Sequence, residues 1–204
     1  MKGIIFSTEM IRKIISCDKT MTRRPIKPQP IGAEFLGRII NPSDKRTLNK
    51  MAFGDERHIT DRYKPRYDIG DMVYVRETWA DYSNEEDRKN GEPIYIYKAA
   101  WGDDVSTGYW RPSIYMPKEA ARIFLKVTSD KVERLQDISE EDAMAEGVMK
   151  EVPGVIKYGN YKAAFMALWN DIYRKKPEYM WDSNCWVWAI TFERIEKPVN
   201  EEIS

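Results

Sequence analysis

Apolar residues recur at intervals of three and four near the start of the chain, in the stretch GIIFSTEMIRKIIS. The repeating positions are Met10, Ile11, Ile14 and Ile15. Ser7 stands just before them and suits the N-cap of a helix. The spacing predicts a short strand that leads into a helix ending near Ser16. The segment DKTMTRRP that follows is predicted to be a loop, because Pro25 and two later prolines interrupt regular structure.

Two further helices are predicted in the second half of the chain. In ISEEDAMAEG, Ser139 and Asp142 fit a variant capping box, and Gly147 fits the residue after a short helix. The stretch NYKAAFMALWNDIYR repeats apolar residues at helical spacing and predicts a longer amphipathic helix. The apolar side of this helix is predicted to carry Phe165, Leu168, Trp169 and Ile172.

Alternating apolar and polar residues predict the strands. GDMVYVRETWA follows a turn and alternates its residues, so Arg76 and Glu77 face opposite ways and only one of them can point into a barrel or cleft. NGEPIYIYKAA predicts a turn and a strand. ARIFLKVTSDKVERLQ is the clearest strand, and CWVWAITFERI closes the chain with a strand whose Trp186 and Trp188 are predicted to lie in the core.

Several strands with few helices, in an irregular order, predict an α+β fold. No βαβ series and no glycine-rich phosphate loop of the Rossmann or Walker kind is present in the sequence. Residues 31–66 show no sustained periodicity and are interpreted as a long insertion, and a second insertion is predicted at about 80–105. We therefore predict one domain over residues 1–198 and a flexible tail over 199–204.

Composition and charge narrow the function classes. The chain is 42% hydrophobic and 32% charged, which is typical of a globular protein. Its 33 basic residues balance 33 acidic ones, so any contact with nucleic acid must come from a local patch. No apolar run is long enough to span a bilayer and no signal peptide is recognised, which predicts a cytoplasmic protein. Cys17, Cys185 and the single His58 offer no metal spacing or catalytic triad, so no metal or other cofactor is predicted.

Two groups of residues are candidates for ligand contact. The first is the basic cluster between Met10 and Pro28, where six basic residues face Asp18 alone. Its guanidinium groups suit phosphate oxygens, although a solvated helix end would also favour cations. The second group lies in the loop WRPSIYMP, where aromatic and basic side chains could stack on and bind a ligand. Its members are Trp110, Arg111, Ser113 and Tyr115.

Four motifs in order, KTMTRR, GDMVYVRETWA, VERLQDISEEDAMAEG and WVWAITFERI, resemble the ASCH domain family of the PUA-like superfamily. The chain is most similar to longer ASCH-related proteins of phages and prophages, in which blocks similar to WRPSIYMP occur. The resemblance covers most of the chain except roughly residues 31–66 and 80–105. It implies a small PUA-like β-barrel flanked by short helices, with a cleft for nucleic acid, RNA being favoured, or for a modified nucleoside.

One small bacterial member of the family is an N4-acetylcytidine amidohydrolase that works with a lysine, a threonine and a glutamate. The resemblance places these roles on Lys19, Thr22 and Glu146. Its cleft cation falls on Arg24 or, as the alternative, on Arg23. The other residues that we assign to ligand binding are Thr20, Arg76, Trp110, Arg111, Ser113 and Tyr115. Family members often have Gly and Arg before the Lys-Thr pair, where this chain has Cys17 and Asp18.

Amide hydrolysis requires a nucleophile, a proton acceptor and donors for the developing oxyanion. Thr22 would act as nucleophile or orient water, and Glu146 would relay a proton to the leaving amine. Lys19 would serve as base only where burial or neighbouring cations lower its pKa. In the alternative interpretation, Lys19 and Glu146 form a salt bridge that closes the cleft.

Four functional hypotheses remain open from the sequence. The first is a binding module for RNA, DNA or a modified base, with Arg23, Arg24, Trp110 and Arg111 as contacts. The second is an amidohydrolase acting on an acylated pyrimidine nucleoside. A ribonuclease is the third, although no metal-binding acid cluster stands out in the sequence. The fourth is a structural component of a phage or prophage.

Overall fold

The computed structural model describes residues 1–30, 32–39, 49–55, 58–91, 93–101, 110–152 and 156–198. The strands are β1 (Lys2–Ile5), β2 (Met21–Pro25), β3 (Glu34–Arg38), β4 (Met51–Gly54), β5 (Ile59–Tyr63), β6 (Met72–Arg76), β7 (Trp79–Asp81), β8 (Tyr95–Tyr97), β9 (Phe124–Arg134), β10 (Glu151–Val152), β11 (Ile156–Lys157) and β12 (Trp186–Ile195). The helices are α1 (Thr8–Ile15), α2 (Glu85–Lys89), α3 (Lys98–Trp101), α4 (Glu140–Ala145) and α5 (Tyr161–Tyr173). The architecture is α+β, as predicted.

The chain folds into two compact units. The first contains Met1–Lys19, Gly70–Lys126 and Glu193–Ser204, and the second contains Thr20–Ile69 and Val127–Phe192. Each unit is therefore assembled from separate stretches of sequence, and strands β9 and β12 contribute residues to both. The single domain with two insertions stays a prediction.

The first unit is built on a strand order of β1, β6 and β9. β1 runs parallel to β6, with Ile4 opposite Val75, and β6 pairs antiparallel with the start of β9. β7 and β8 form a separate antiparallel pair. Helix α1 begins as predicted, because the Ser7 hydroxyl accepts a hydrogen bond from the Met10 N–H at 3.4 Å. Its Ile11 and Ile14 are buried.

The second unit has a strand order of β9, β12 and β2, with β2 at the end, and a separate three-stranded antiparallel sheet of β3, β4 and β5. Helices α4 and α5 bury an apolar cluster with β12. This cluster contains Leu135, Ile138, Ala143, Phe165, Trp169, Trp181, Cys185 and Val187. On the opposite side of β12, Trp186 packs against Phe53, with ring centroids 5.3 Å apart. Trp186 and Trp188 are both buried, as predicted.

Two segments differ from the sequence-based expectation. The segment DKTMTRRP was expected to form a loop, whereas residues 21–25 form β2, which pairs with β12 over Val187–Thr191. The region 31–66 showed no periodicity, yet its described parts contain β3, β4 and β5. All four residues of β4 are buried, so the sequence lacks the alternation by which a half-buried strand is recognised.

The predicted helices of the second half are present, with one difference in the buried side of α5. Ser139 caps α4 by accepting from the Asp142 N–H at 3.0 Å, and Gly147 follows the helix with φ 81°. In α5, Phe165 and Trp169 are buried, but Ile172 is 57% exposed and Ala164 is buried instead. Across the described ranges, every helix is too short or too polar to cross a membrane.

Candidate nucleic-acid interface

Strand β2 carries most of the residues that the KTMTRR motif singled out. Side chains alternate along a strand, so Thr22 and Arg24 share one face of β2 and Arg23 points to the other. Thr22 lies opposite Ile190 on β12, and Arg24 lies opposite Trp188. The backbone of Thr20 is held on both sides, because its N–H donates to Ala145 and its carbonyl accepts from Phe192, each at 2.9 Å.

Arg23 is fully buried and is surrounded by carboxylates. Its Nη2 lies 2.6 Å from Glu133 and 2.6 Å from Asp142, and its Nη1 lies 3.5 Å from Glu146. Asp142 and Glu146 are four residues apart around helix α4, so both can reach the same guanidinium. One buried cation thus joins β2, β9 and α4. The N–H groups of this guanidinium donate to side chains of the protein itself.

Arg24 has a different environment from its neighbour. It is half-buried, and one of the groups it interacts with is Tyr173 in the last turn of α5. Burial raises the pKa of Tyr173, and the positive charge and hydrogen bond of Arg24 partly offset that effect. β2 is the last strand of the β9–β12–β2 order, so Arg24 lies on an edge strand.

Lys27, two residues beyond β2, makes a second contact with aromatic residues. Its Nζ lies 5.2 Å from the ring centroid of Tyr179. The rings of Tyr173 and Tyr179 lie 5.9 Å apart, and Tyr173 packs on Trp169 at 4.6 Å. Neither tyrosine is among the residues that the sequence patterns assign to ligand binding. The signal was present in YRKKPEY at residues 173–179, where aromatic residues flank a basic run.

The three residues assigned to hydrolysis are each buried. Lys19, Thr22 and Glu146 are all 4% exposed. In the first unit, the Nζ of Lys19 lies 5.7 Å from the ring centroid of Phe6, and its N–H donates to Lys13 at 3.0 Å. In the second unit, Glu146 contacts Arg23, which points away from the face of β2 that carries Thr22.

Of the alternatives Arg76 and Glu77, Glu77 is the buried residue. It is 1% exposed and accepts two hydrogen bonds from Arg122, at 2.9 and 3.0 Å. Arg76 ends β6 half-buried, with its guanidinium carbon 5.5 Å from the ring centroid of Tyr74. Its buried Nε has no hydrogen-bond partner among the described residues.

The loop WRPSIYMP is anchored in the first unit and presents side chains to solvent. Arg111 pairs with the backbone of Trp79 at 2.7 and 3.3 Å, and its guanidinium carbon lies 5.3 Å from that indole ring. Met116 is fully buried at the other end of the loop. Between these anchors, residues Ser113–Tyr115 form one 3-10 turn on which Tyr115 is 72% exposed. Trp110 and Ser113 are half-buried.

The described residues form no metal site, and no match to the chain is found among known proteins. Within the described ranges, no three or more His, Cys, Asp or Glu side chains are arranged to hold a metal ion. Burial raises the pKa of the Cys185 thiol, and Cys17 is exposed. Comparison with family models, curated proteins and solved structures gives no match to the chain.

Proposed function

We propose that the protein is an ASCH-type protein that binds nucleic acid or a modified nucleoside, and that its sheets belong to a PUA-like barrel. The observation that carries the proposal is the difference in environment between the two adjacent arginines of β2. Arg23 is surrounded by Glu133, Asp142 and Glu146, whereas Arg24 is half-buried and interacts with Tyr173. This supports Arg24 as the ligand contact and Arg23 as its structural support.

Titration of labelled single-stranded RNA and DNA tests this proposal, with fluorescence anisotropy as the measurement. We expect Arg24→Gln to weaken binding about 10- to 100-fold, because a hydrogen bond to a charged group contributes roughly 1.5–3 kcal/mol. Arg62→Gln is the matched control, since Arg62 is an exposed arginine of β5 in the same unit. The proposal is wrong if the wild-type protein binds neither oligonucleotide nor N4-acetylcytidine.

Amidohydrolysis is the second candidate, and burial of Lys19, Thr22 and Glu146 favours it. Burying polar groups costs free energy, and such groups concentrate at functional sites. We expect cytidine release from N4-acetylcytidine or its deoxy form, followed by chromatography, to be lost in Lys19→Ala and Thr22→Ala. Absence of turnover by the wild-type protein would remove this candidate and leave the contact between Arg23 and Glu146 as a structural ion pair.

A further inference from the structure

The turn that follows helix α5 carries three consecutive cations. Arg174, Lys175 and Lys176 are all exposed. The turn is compact, because the Lys176 N–H donates to the Tyr173 carbonyl at 2.8 Å and the Tyr179 N–H donates to the Lys176 carbonyl at 2.9 Å. Asp171 lies 3.3 Å from Arg174, but both side chains are about 70% exposed, and such a pair contributes little.

Two more cations reach this turn from a distant part of the sequence. Arg24 contacts Tyr173, and Lys27 lies 5.2 Å from the ring of Tyr179. We name this surface the basic–aromatic patch; it consists of Arg24, Lys27, Tyr173, Arg174, Lys175, Lys176 and Tyr179. Arg24 and Lys27 belong to the basic cluster that the sequence makes a candidate for ligand contact, and the other five residues are not assigned to ligand binding.

Bringing like charges together is unfavourable in the free protein. The patch gathers five cations, and the acids nearest to the turn in sequence are Asp171 and Glu178, which leaves an excess of three positive charges (5 − 2 = 3). The whole chain carries zero net charge, so this excess does not follow from a generally basic composition. An anionic partner would offset this local excess, since the patch gathers more than the three cations that the end of the α5 dipole favours.

We propose that the basic–aromatic patch binds the sugar–phosphate backbone of a single-stranded polynucleotide. The inference rests on the proposed function and extends it, because a free nucleoside carries no phosphate for the cations of the turn to bind. Phosphates would contact the cations of the turn, and the partly exposed ring of Tyr179 would contact a base. Aromatic rings set among cations distinguish a surface for nucleic acid from one for a simple polyanion.

The test compares two triple variants of equal charge change. Arg174→Gln, Lys175→Gln and Lys176→Gln together remove the cations of the turn. The control combines Arg62→Gln, Lys64→Gln and Lys131→Gln, which are exposed residues of the same unit. The probes are labelled 12-mers of oligouridylate and oligothymidylate, N4-acetylcytidine, and polyglutamate of matched charge. Thermal unfolding followed by circular dichroism confirms that each variant is folded.

We expect the turn variant to reduce the slope of log binding constant against log salt by about 2, since each phosphate contact on a single strand contributes about 0.7. At 0.1 M salt that change corresponds to about 100-fold weaker oligonucleotide binding. The control variant should match the wild type. Tyr179→Leu should weaken binding roughly tenfold with an unchanged slope, because stacking is not a charge contact. Equal behaviour of the two 12-mers would assign recognition to the phosphodiester chain that RNA and DNA share.

Four results would overturn the inference, and only the last of them also disproves the proposed function. Oligonucleotide binding that is sensitive to Arg24→Gln but not to the turn variant would disprove the patch and keep the proposed function. Binding of N4-acetylcytidine without oligonucleotide binding would also disprove the patch and keep the proposed function. If polyglutamate binds as tightly as the 12-mers, the patch is not specific for nucleic acid. A wild-type protein that binds no oligonucleotide and no nucleoside disproves both proposals.

Discussion

Arg23 and Arg24 are adjacent in sequence, yet Arg23 is buried among carboxylates and Arg24 is half-buried. Alternation along β2 directs the guanidinium of Arg23 toward α4 and places Arg24 on the other face of the strand, opposite Trp188. The sequence could predict that one of them would be a cleft residue, but it could not choose between them. The choice depends on which face of the strand is covered by helices, and that is decided by tertiary packing.

Arg23 should be essential for stability. Arg23→Gln leaves three carboxylates without their buried cation, and breaking such a buried arrangement costs about 3–5 kcal/mol. The free energy of unfolding in urea measures the loss. Arg62→Gln is the control and should change stability by less than about 0.5 kcal/mol. Equal stability of the two variants would show that the ion pairs around Arg23 contribute nothing.

Tyr97 should make stability depend on pH in the alkaline range. The pKa of Tyr97 is raised to about 12 by burial. The nearby charge of Arg122 offsets the effect of burial only in part. In the unfolded chain a tyrosine titrates near 10, so between these values the folded state binds more protons. Stability contributed by the neutral phenol is therefore present below about pH 10 and is lost as pH rises toward 12.

Urea unfolding between pH 9 and pH 11.5 should show a smaller loss of stability for Tyr97→Phe than for the wild type. The variant also loses the hydrogen bond from the Tyr97 hydroxyl to the Ala120 carbonyl, at 2.7 Å, so its stability at pH 9 should be lower. Tyr82→Phe is the control because Tyr82 is 69% exposed. Parallel pH profiles for wild type and Tyr97→Phe would contradict the prediction.

At the scale of the elements, α5 depends on a carboxylate from α4. Glu140 accepts hydrogen bonds from the N–H groups of Tyr161 and Lys162, at 2.8 and 3.1 Å. Asn160 accepts from the Ala163 N–H at 2.8 Å. Side chains thus satisfy three of the backbone donors that a helix leaves open at its start. The negative charge of Glu140 also suits the positive end of the helix dipole.

Glu140→Ala should therefore destabilise the protein by about 2 kcal/mol, because hydrogen bonds to a charged acceptor and a favourable dipole interaction are both lost. Glu141→Ala is the matched control, since Glu141 is the exposed neighbour in the same first turn of α4. Its effect on the free energy of unfolding in urea should stay within about 0.5 kcal/mol. A similar loss in both variants would mean that Glu140 does not hold α5.

Prediction from sequence succeeded for elements with an extended pattern and failed for short or buried ones. β9, β12, α1 and α5 repeat one period over many residues, and all four are present. β4 was missed because all four of its residues are buried, so apolar and polar residues do not alternate along it. β2 was mistaken for a loop because Pro25 and two later prolines indicated irregular structure, whereas the strand is held by its pairing with β12 and by Arg23, which is buried among carboxylates of β9 and α4.

At the scale of the whole molecule, the balance between strands and helices was sufficient to predict the α+β class. The division into two units was not predictable, because each unit joins stretches that are far apart in sequence. Local periodicity carries no information about such joining. The same limit applies to the basic–aromatic patch, whose two parts are distant in sequence and meet through Arg24, Lys27 and the tyrosines near the end of α5.

The position of β12 in the sequence affects how the protein folds while it is synthesised on the ribosome. Residues 186–192 of β12 belong to the second unit and residues 193–195 to the first, so neither unit is complete until this strand has been synthesised. At about 5–20 residues per second, β2 waits on the order of ten seconds for its partner strand. Throughout that interval the nascent chain holds an unpaired strand and unfinished cores, and chaperones have their longest access to it.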